Sequence, residues 1–220
     1  MKPGFLLKPG TAKIVLMRPS IKVGEQSTGG LFEPNADWTA QARENLAAAI
    51  GAIQVKLGST VVTYDEPVGQ AANTSAEYQS LFTTVANSVR EFQFFPGNRL
   101  PTKKRDKTAF EWTIGKEIAA LPGLEGADYV LFVTTEDQYS SGGRKALKIF
   151  AAMAGVAVST GVHLGYAGLV DLKSGDLVWL NADQQMGGDP RTPEGAEKRV
   201  SQLFEGFPGR PGEPVTTASR

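Results

Sequence analysis

The six residues Ser140-Ser141-Gly142-Gly143-Arg144-Lys145 lie between a strongly apolar stretch and a segment with helical spacing. Glycines at such a junction let backbone amides approach an anion, and a helix amino terminus favours negative charge. Arg144 adds a charged donor. Ser140, Ser141, Gly142, Gly143 and Arg144 are therefore the candidate ligand site, for a phosphate, a nucleotide or a sugar acid. The Gly-Lys-Ser/Thr ending of a P-loop is missing, and a plain surface connection is the competing reading.

The remaining chemistry-bearing residues do not converge. His163 is the single histidine, so a two-histidine metal site is excluded. As a base it needs a nucleophile and an orienting carboxylate, and no Gly-x-Ser-x-Gly motif supplies the first. A structural histidine at a strand end is the plainer expectation. Asp65, Glu66 and Asp128 stand next to strand-like segments, but nothing fixes their spacing for acid-base work. Gly165 and Gly168 match no dinucleotide fingerprint and read as close-packing positions in a strand. Lys103, Lys104, Arg105 and Lys107 form a basic loop with no aromatic residue among them, which reads as a solvated loop. No catalytic residue, metal ligand or cofactor is assigned, and the chain is expected not to be an enzyme.

Composition bounds the rest. The 220 residues suit one domain. Lys+Arg and Asp+Glu are 23 each, a balance that argues against nucleic acid as a partner. Cysteine is absent, which removes disulfides, zinc-thiolate sites and thiol nucleophiles. The run Phe5-Leu6-Leu7 is too short for a signal-peptide core. The chain is then either cytoplasmic or the part that follows a signal or lipid anchor lying upstream of Met1.

These residues need elements to hold them. Thr11 to Met17 reads as a strand, and Gly24 to Asn35 as a glycine-rich loop. Asp37 is the expected cap of a helix with Trp38, Ala42, Leu46, Ala49, Ile50, Ile53 and Leu57 at helical spacing, closed by Gly58. Thr60 to Tyr64 is β-branched and aromatic, a second strand. Thr74 and Glu77 have capping-box spacing ahead of a helical stripe through Tyr78, Leu81, Phe82, Val85 and Val89. Thr108 and Glu111 repeat that spacing ahead of Phe110, Ile114, Ile118 and Leu121.

Ala127 to Thr134 is apolar on both faces, as a central strand covered on two sides must be. Lys145 to Val158 reads as a helix, apolar nearly all round after Lys148. Phe150, Met153 and Val156 on it are the expected contact with another protein or a second copy. Residues 149 to 170 carry no formal charge and are long enough for a membrane span, yet glycines and polar residues divide them into a buried helix and a buried strand. Val162 to Leu172 and Leu177 to Leu180 form a hairpin about Lys173-Ser174-Gly175-Asp176. Thr192-Pro193 opens a last helix.

The order predicts an α/β fold: a single mixed, mostly parallel sheet flanked by helices, with a C-terminal antiparallel hairpin. The domain is expected to span 11–206, between a flexible segment 1–10 and a disordered tail 207–220.

Two stretches resemble a known group. Gly126-Ala127-Asp128-Tyr129-Val130-Leu131-Phe132-Val133, followed by Ala167 through Trp179 (Ala-Gly-Leu-Val-Asp-Leu-Lys-Ser-Gly-Asp-Leu-Val-Trp), is similar to bacterial cell-envelope lipoproteins around the curli-secretion protein CsgG and the TolB amino-terminal-domain fold. The resemblance implies a periplasmic or outer-membrane-associated, non-catalytic, often oligomeric accessory protein. Its partner would be an envelope protein or its own copies, in secretion or envelope assembly, and its membrane attachment an anchor outside the given sequence.

Overall fold

The computed structural model describes residues 1–7, 10–54, 57, 59–98, 109–158 and 161–209. From Ile14 an apolar run commits to β1 (Lys13–Leu16), and Pro19 interrupts it before β2 (Ser20–Gln26). Both strands lie parallel along the same side of β5 (Tyr129–Ser140). Ile14 pairs with Tyr129 and Ser20 with Thr134, so Met17 to Pro19 accommodate one residue more than the facing strand. A break of that kind suits proline, which has no N–H for the ladder.

Outside this broken strand, β4 (Thr60–Thr63) pairs parallel with β1, and β3 (Phe32–Pro34) pairs antiparallel with β2. On the other side of β5 come β6 (Val162–Asp171) and β7 (Leu177–Asp183), both antiparallel. The result is the single mixed sheet that the alternation of elements predicts, with β5 at its centre. Among the described residues three ladders run parallel and three antiparallel.

Residue alternation along β5 divides the core. Leu131 and Val133 face the helices α1 (Ala36–Gln54) and α4 (Pro193–Leu203); Val130 and Phe132 face α2 (Gln70–Val89). Phe82 of α2 stacks on Phe132, with ring centroids 4.7 Å apart, over Gly168. A methyl group at Gly168 would collide with the Phe82 ring, and one at Gly165 with Met186. Both glycines are therefore close-packing positions, as expected. In the β6–β7 turn, Asp171 Oδ1 accepts from the N–H groups of Lys173 and Ser174. Gly175 has φ +75° and lies against the backbone of Gly115, where no side chain fits.

Several local expectations shift. The glycine-rich loop contains a short hairpin, β2 to β3, because Ser27 N–H and Leu31 O close the turn. Asn35, not Asp37, caps α1: its Oδ1 accepts from Trp38 N–H at 2.9 Å. Thr74 lies inside α2, which begins at Gln70, and its hydroxyl donates back to Gln70 O. Phe110, Ile114, Ile118 and Leu121 are buried as a group, but in extended chain and one 3-10 helix, Lys116–Ala120. Burial gave that stripe its pattern without an α-helix.

Both ends of the expected domain carry anchors. Phe5 meets Tyr129 edge-on at 5.7 Å, Leu7 is buried, and Lys2 pairs with Asp176 at 2.6 Å. Phe207 is buried against Trp179 and Phe204. The segment expected to be loose at 1–10 thus contributes to the core, and so does the first residue of the expected tail. Gly58, Thr108 and the basic loop Lys103 to Lys107 lie outside the described residues, as does 210–220.

Candidate functional site

The junction after β5 is short and already structured. Ser140 is the last residue of the strand, and helix α3 (Gly142–Met153) starts two residues later. Ser141 caps it: its hydroxyl accepts from Arg144 N–H at 3.2 Å, and its own N–H donates to Gln26 O. Gly143 lies against the Thr28 side chain, and the Arg144 guanidinium reaches Thr28 O and the face of Gly30. The residues nominated for anion binding are therefore gathered at one helix start, but Ser141 and Arg144 are engaged with the β2–β3 turn.

The rest of α3 has the opposite character. Leu147, Ile149, Phe150 and Met153 are 40%, 63%, 69% and 81% exposed, and no residue of the helix is buried. The exit is a Schellman motif: Gly155 has φ +74°, its N–H donates to Ala152 O, and Val156 N–H donates to Ala151 O. This ends the helix five residues before the expected limit at Val158. Val156 beyond it is exposed too. A helix expected to be buried in fact stands off the body with Phe150, Met153 and Val156 in water.

A second cluster sits where β5, β6 and α4 meet. Asp137 is fully buried and accepts two hydrogen bonds from Arg199 Nη1, at 2.6 and 2.7 Å. Arg199 is equally buried, and its Nη2 donates to Gly188 O. His163 Nδ1 lies 2.7 Å from Asp137 Oδ1, and its ring meets Tyr139 edge-on. The orienting carboxylate that a catalytic histidine needs is thus present. It is, however, neutralised by Arg199, and Gly161 borders the Nε2 side. Among the described residues no hydroxyl is hydrogen-bonded to that ring.

Next to it, Arg191 lies between Trp38 and Tyr139, 4.4 and 4.0 Å from the ring centroids. Asp189 receives the Arg191 guanidinium through Nε and Nη2, and the Tyr139 hydroxyl donates to it at 2.9 Å. The Arg191 hydrogen bonds hold the Asp189 carboxyl down to about 2. Burial, and then the Asp137 charge, push the Tyr139 phenol well above its ordinary range. These contacts pin the loop after β7 onto the sheet.

The two clusters were legible unequally. Arg199 falls on the apolar stripe of α4, between Ala196 and Leu203, which marks it as a buried charge. Its partner Asp137 is 62 residues away, and no local pattern names it. Two of the carboxylates weighed earlier make structural contacts: Asp128 Oδ2 accepts from Lys13 N–H, and Glu66 pairs with Arg18. A half-open cleft of about 400 Å³ between α2 and the β2 and β5 strands is lined by Ser20, Lys22, Gln79, Thr83, Thr134 and Glu136. Its Thr83 hydroxyl donates back to Gln79 O, and Gln79 holds Arg18 O. Among the described residues no group of three His, Asp or Glu side chains is placed to hold a metal ion.

No protein-family model matches the chain, and no curated protein matches it. Solved structures give loose likenesses. Lipoprotein GNA1162 from Neisseria meningitidis is 16% identical, with 79% of each chain covered and a TM-score of 0.31. A putative neuraminyllactose-binding hemagglutinin homolog from Helicobacter pylori is 10% identical, covering 94% of this chain and 91% of that one, with a TM-score of 0.34. The LpoB C-terminal domain from Salmonella enterica is 17% identical, with 84% and 88% covered and a TM-score of 0.25.

Proposed function

We propose that this chain is a non-catalytic accessory protein of the bacterial cell envelope, in the periplasm or at the outer membrane. It acts by docking through α3 and by contact with another envelope protein or its own copies, in secretion or envelope assembly. The outward face of α3 carries this reading. Fully covering a Leu, Ile, Phe or Met side chain stabilises by about 1.5–3 kcal/mol. Leu147, Ile149, Phe150 and Met153 together offer a surface that water disfavours and a binding partner would cover. The envelope setting rests on the likeness of residues 126–133 and 167–179 to envelope lipoproteins.

Cell fractionation of the native gene product tests the reading, with a Phe150→Ser, Met153→Ser variant beside it. The wild type is expected in the envelope fraction, and the variant is expected to be released from its partner while still folded. Wholly cytosolic wild-type protein contradicts the proposal. The competing use of Ser140 to Lys145 as a phosphate or nucleotide site predicts thermal stabilisation by such ligands that Arg144→Ala abolishes.

A further inference from the structure

The distribution of side chains along α3 says more about what it docks on. At 100° per residue, Ile149, Met153, Ala146, Phe150 and Leu147 fall within an arc of about 160°. Arg144, Lys148 and Lys145 fall within an opposite arc of about 100°. All three cations lie in the first two turns. From Ile149 to Val158 no side chain is charged or polar at all. A helix seated in a protein groove keeps a polar back toward water. The distal half of α3 has none, because Ala151 and Ala152 stand where that back would be.

Charge is segregated to match. Residues 138–170 contain three basic side chains and no acidic one, which leaves 20 basic against 23 acidic in the rest of the chain. The stretch of chain that carries α3 is thus basic and apolar together, while Glu25 and Glu33 stand in the neighbouring β2–β3 hairpin. The placement is also specific. β5 and β6 are antiparallel neighbours, paired out to Gln138 and Val162. A turn of about two to five residues would join them. Residues 141–161 instead carry a capped helix off the end of the sheet.

We infer that α3 seats on an anionic lipid surface. Its bare distal end, from Ile149 to Val156, enters the boundary between headgroups and acyl chains, while Lys145 and Lys148 stand at the level of the phosphates. The twelve-residue helix is about 18 Å long, short of the roughly 30 Å hydrocarbon core. It lies in the interface, consistent with no described helix being long and apolar enough to cross a membrane. The inference rests on α3 being the docking element and names the surface it meets.

Co-sedimentation of the full chain with vesicles tests it, using phosphatidylcholine alone and a 3:1 mixture with phosphatidylglycerol. Binding to the mixture is expected to exceed binding to phosphatidylcholine about tenfold or more and to weaken with added salt. Lys145→Glu with Lys148→Glu should remove that preference, and Phe150→Ser with Met153→Ser should abolish binding to both. Unchanged thermal melting of both variants shows that the fold persists, because all four side chains are exposed. Sedimentation velocity without lipid separates this inference from the docking reading. Self-association lost in Phe150→Ser, Met153→Ser, together with no vesicle binding, overturns the lipid surface and leaves docking intact. Equal binding to both vesicle types overturns the role of the cations.

Discussion

Arg199 and Asp137 meet with both side chains fully withdrawn from water, Nη1 2.6 Å from Oδ1. Such a pair is strongly felt when one half is removed, because the other is then a buried, uncompensated charge. Arg199→Met is therefore expected to destabilise the fold by about 3–5 kcal/mol. Exchanging both residues for apolar ones of similar volume should recover most of that loss. Urea denaturation of the single and double variants checks this. Equal destabilisation by the single and the double change would contradict it.

The Asp189–Arg191 pair predicts a dependence on pH. The Asp189 carboxyl titrates at about 2 in the folded chain, below its ordinary 3.8. Its contribution is complete above the unfolded value and is lost as pH falls from about 4 through about 2. The side chain is 35% exposed, so solvent screening leaves an effect of about 1 kcal/mol. Asp189→Asn should flatten the stability profile below pH 4 and lower stability by about 1 kcal/mol at pH 7 to 8, where the carboxylate's contribution is complete. The Tyr139 phenol has the opposite sense: its pKa is raised on folding, so its contribution is lost as pH rises above about 10.

Phe207, near the end of the described residues, belongs to the core. Its ring lies 5.1 Å from that of Trp179 and is buried. Phe207→Ala should cost about 3–5 kcal/mol, the range for large core aromatics. Truncation after Gly209 should cost far less than truncation after Gly206. Thermal unfolding of the two shortened chains decides where the body ends.

Gly168→Ala tests the contact between α2 and the sheet. The added methyl meets the Phe82 ring, which is held by stacking on Phe132, and overpacking of this kind costs about 1–3 kcal/mol. Gly168→Ala combined with Phe82→Leu should be less destabilised than the two single changes together. Additive losses would show that Phe82 yields elsewhere.

Much of the architecture was written in local pattern. Tyr129 to Val133 is apolar on both faces because β5 has neighbours on both edges and helices above and below, and its sequence shows this directly. The α1 stripe and the Lys173 to Asp176 turn are equally local. The β2–β3 hairpin was obscured by Pro19 and by glycines that resemble a loop. Phe110 to Leu121 mimicked a helix because burial in extended chain can fall at the same spacing by chance. The Asp137–Arg199–His163 contacts join residues 26 and 62 positions apart, so only the fold brings them together. For α3 the apolar run after Lys148 was plain and read as a buried helix, but its exposure depends on where β5 and β6 place it.

The exposure of Met153 tests the account most directly. The chain contains no cysteine, so Met153→Cys provides a single reactive thiol. In dilute protein without lipid or partner, it should react with a maleimide as fast as a small free thiol, and markedly more slowly once phosphatidylglycerol-containing vesicles are added. Slow labelling of the dilute, isolated chain would mean that α3 folds its apolar side against the body, and the docking face would not exist.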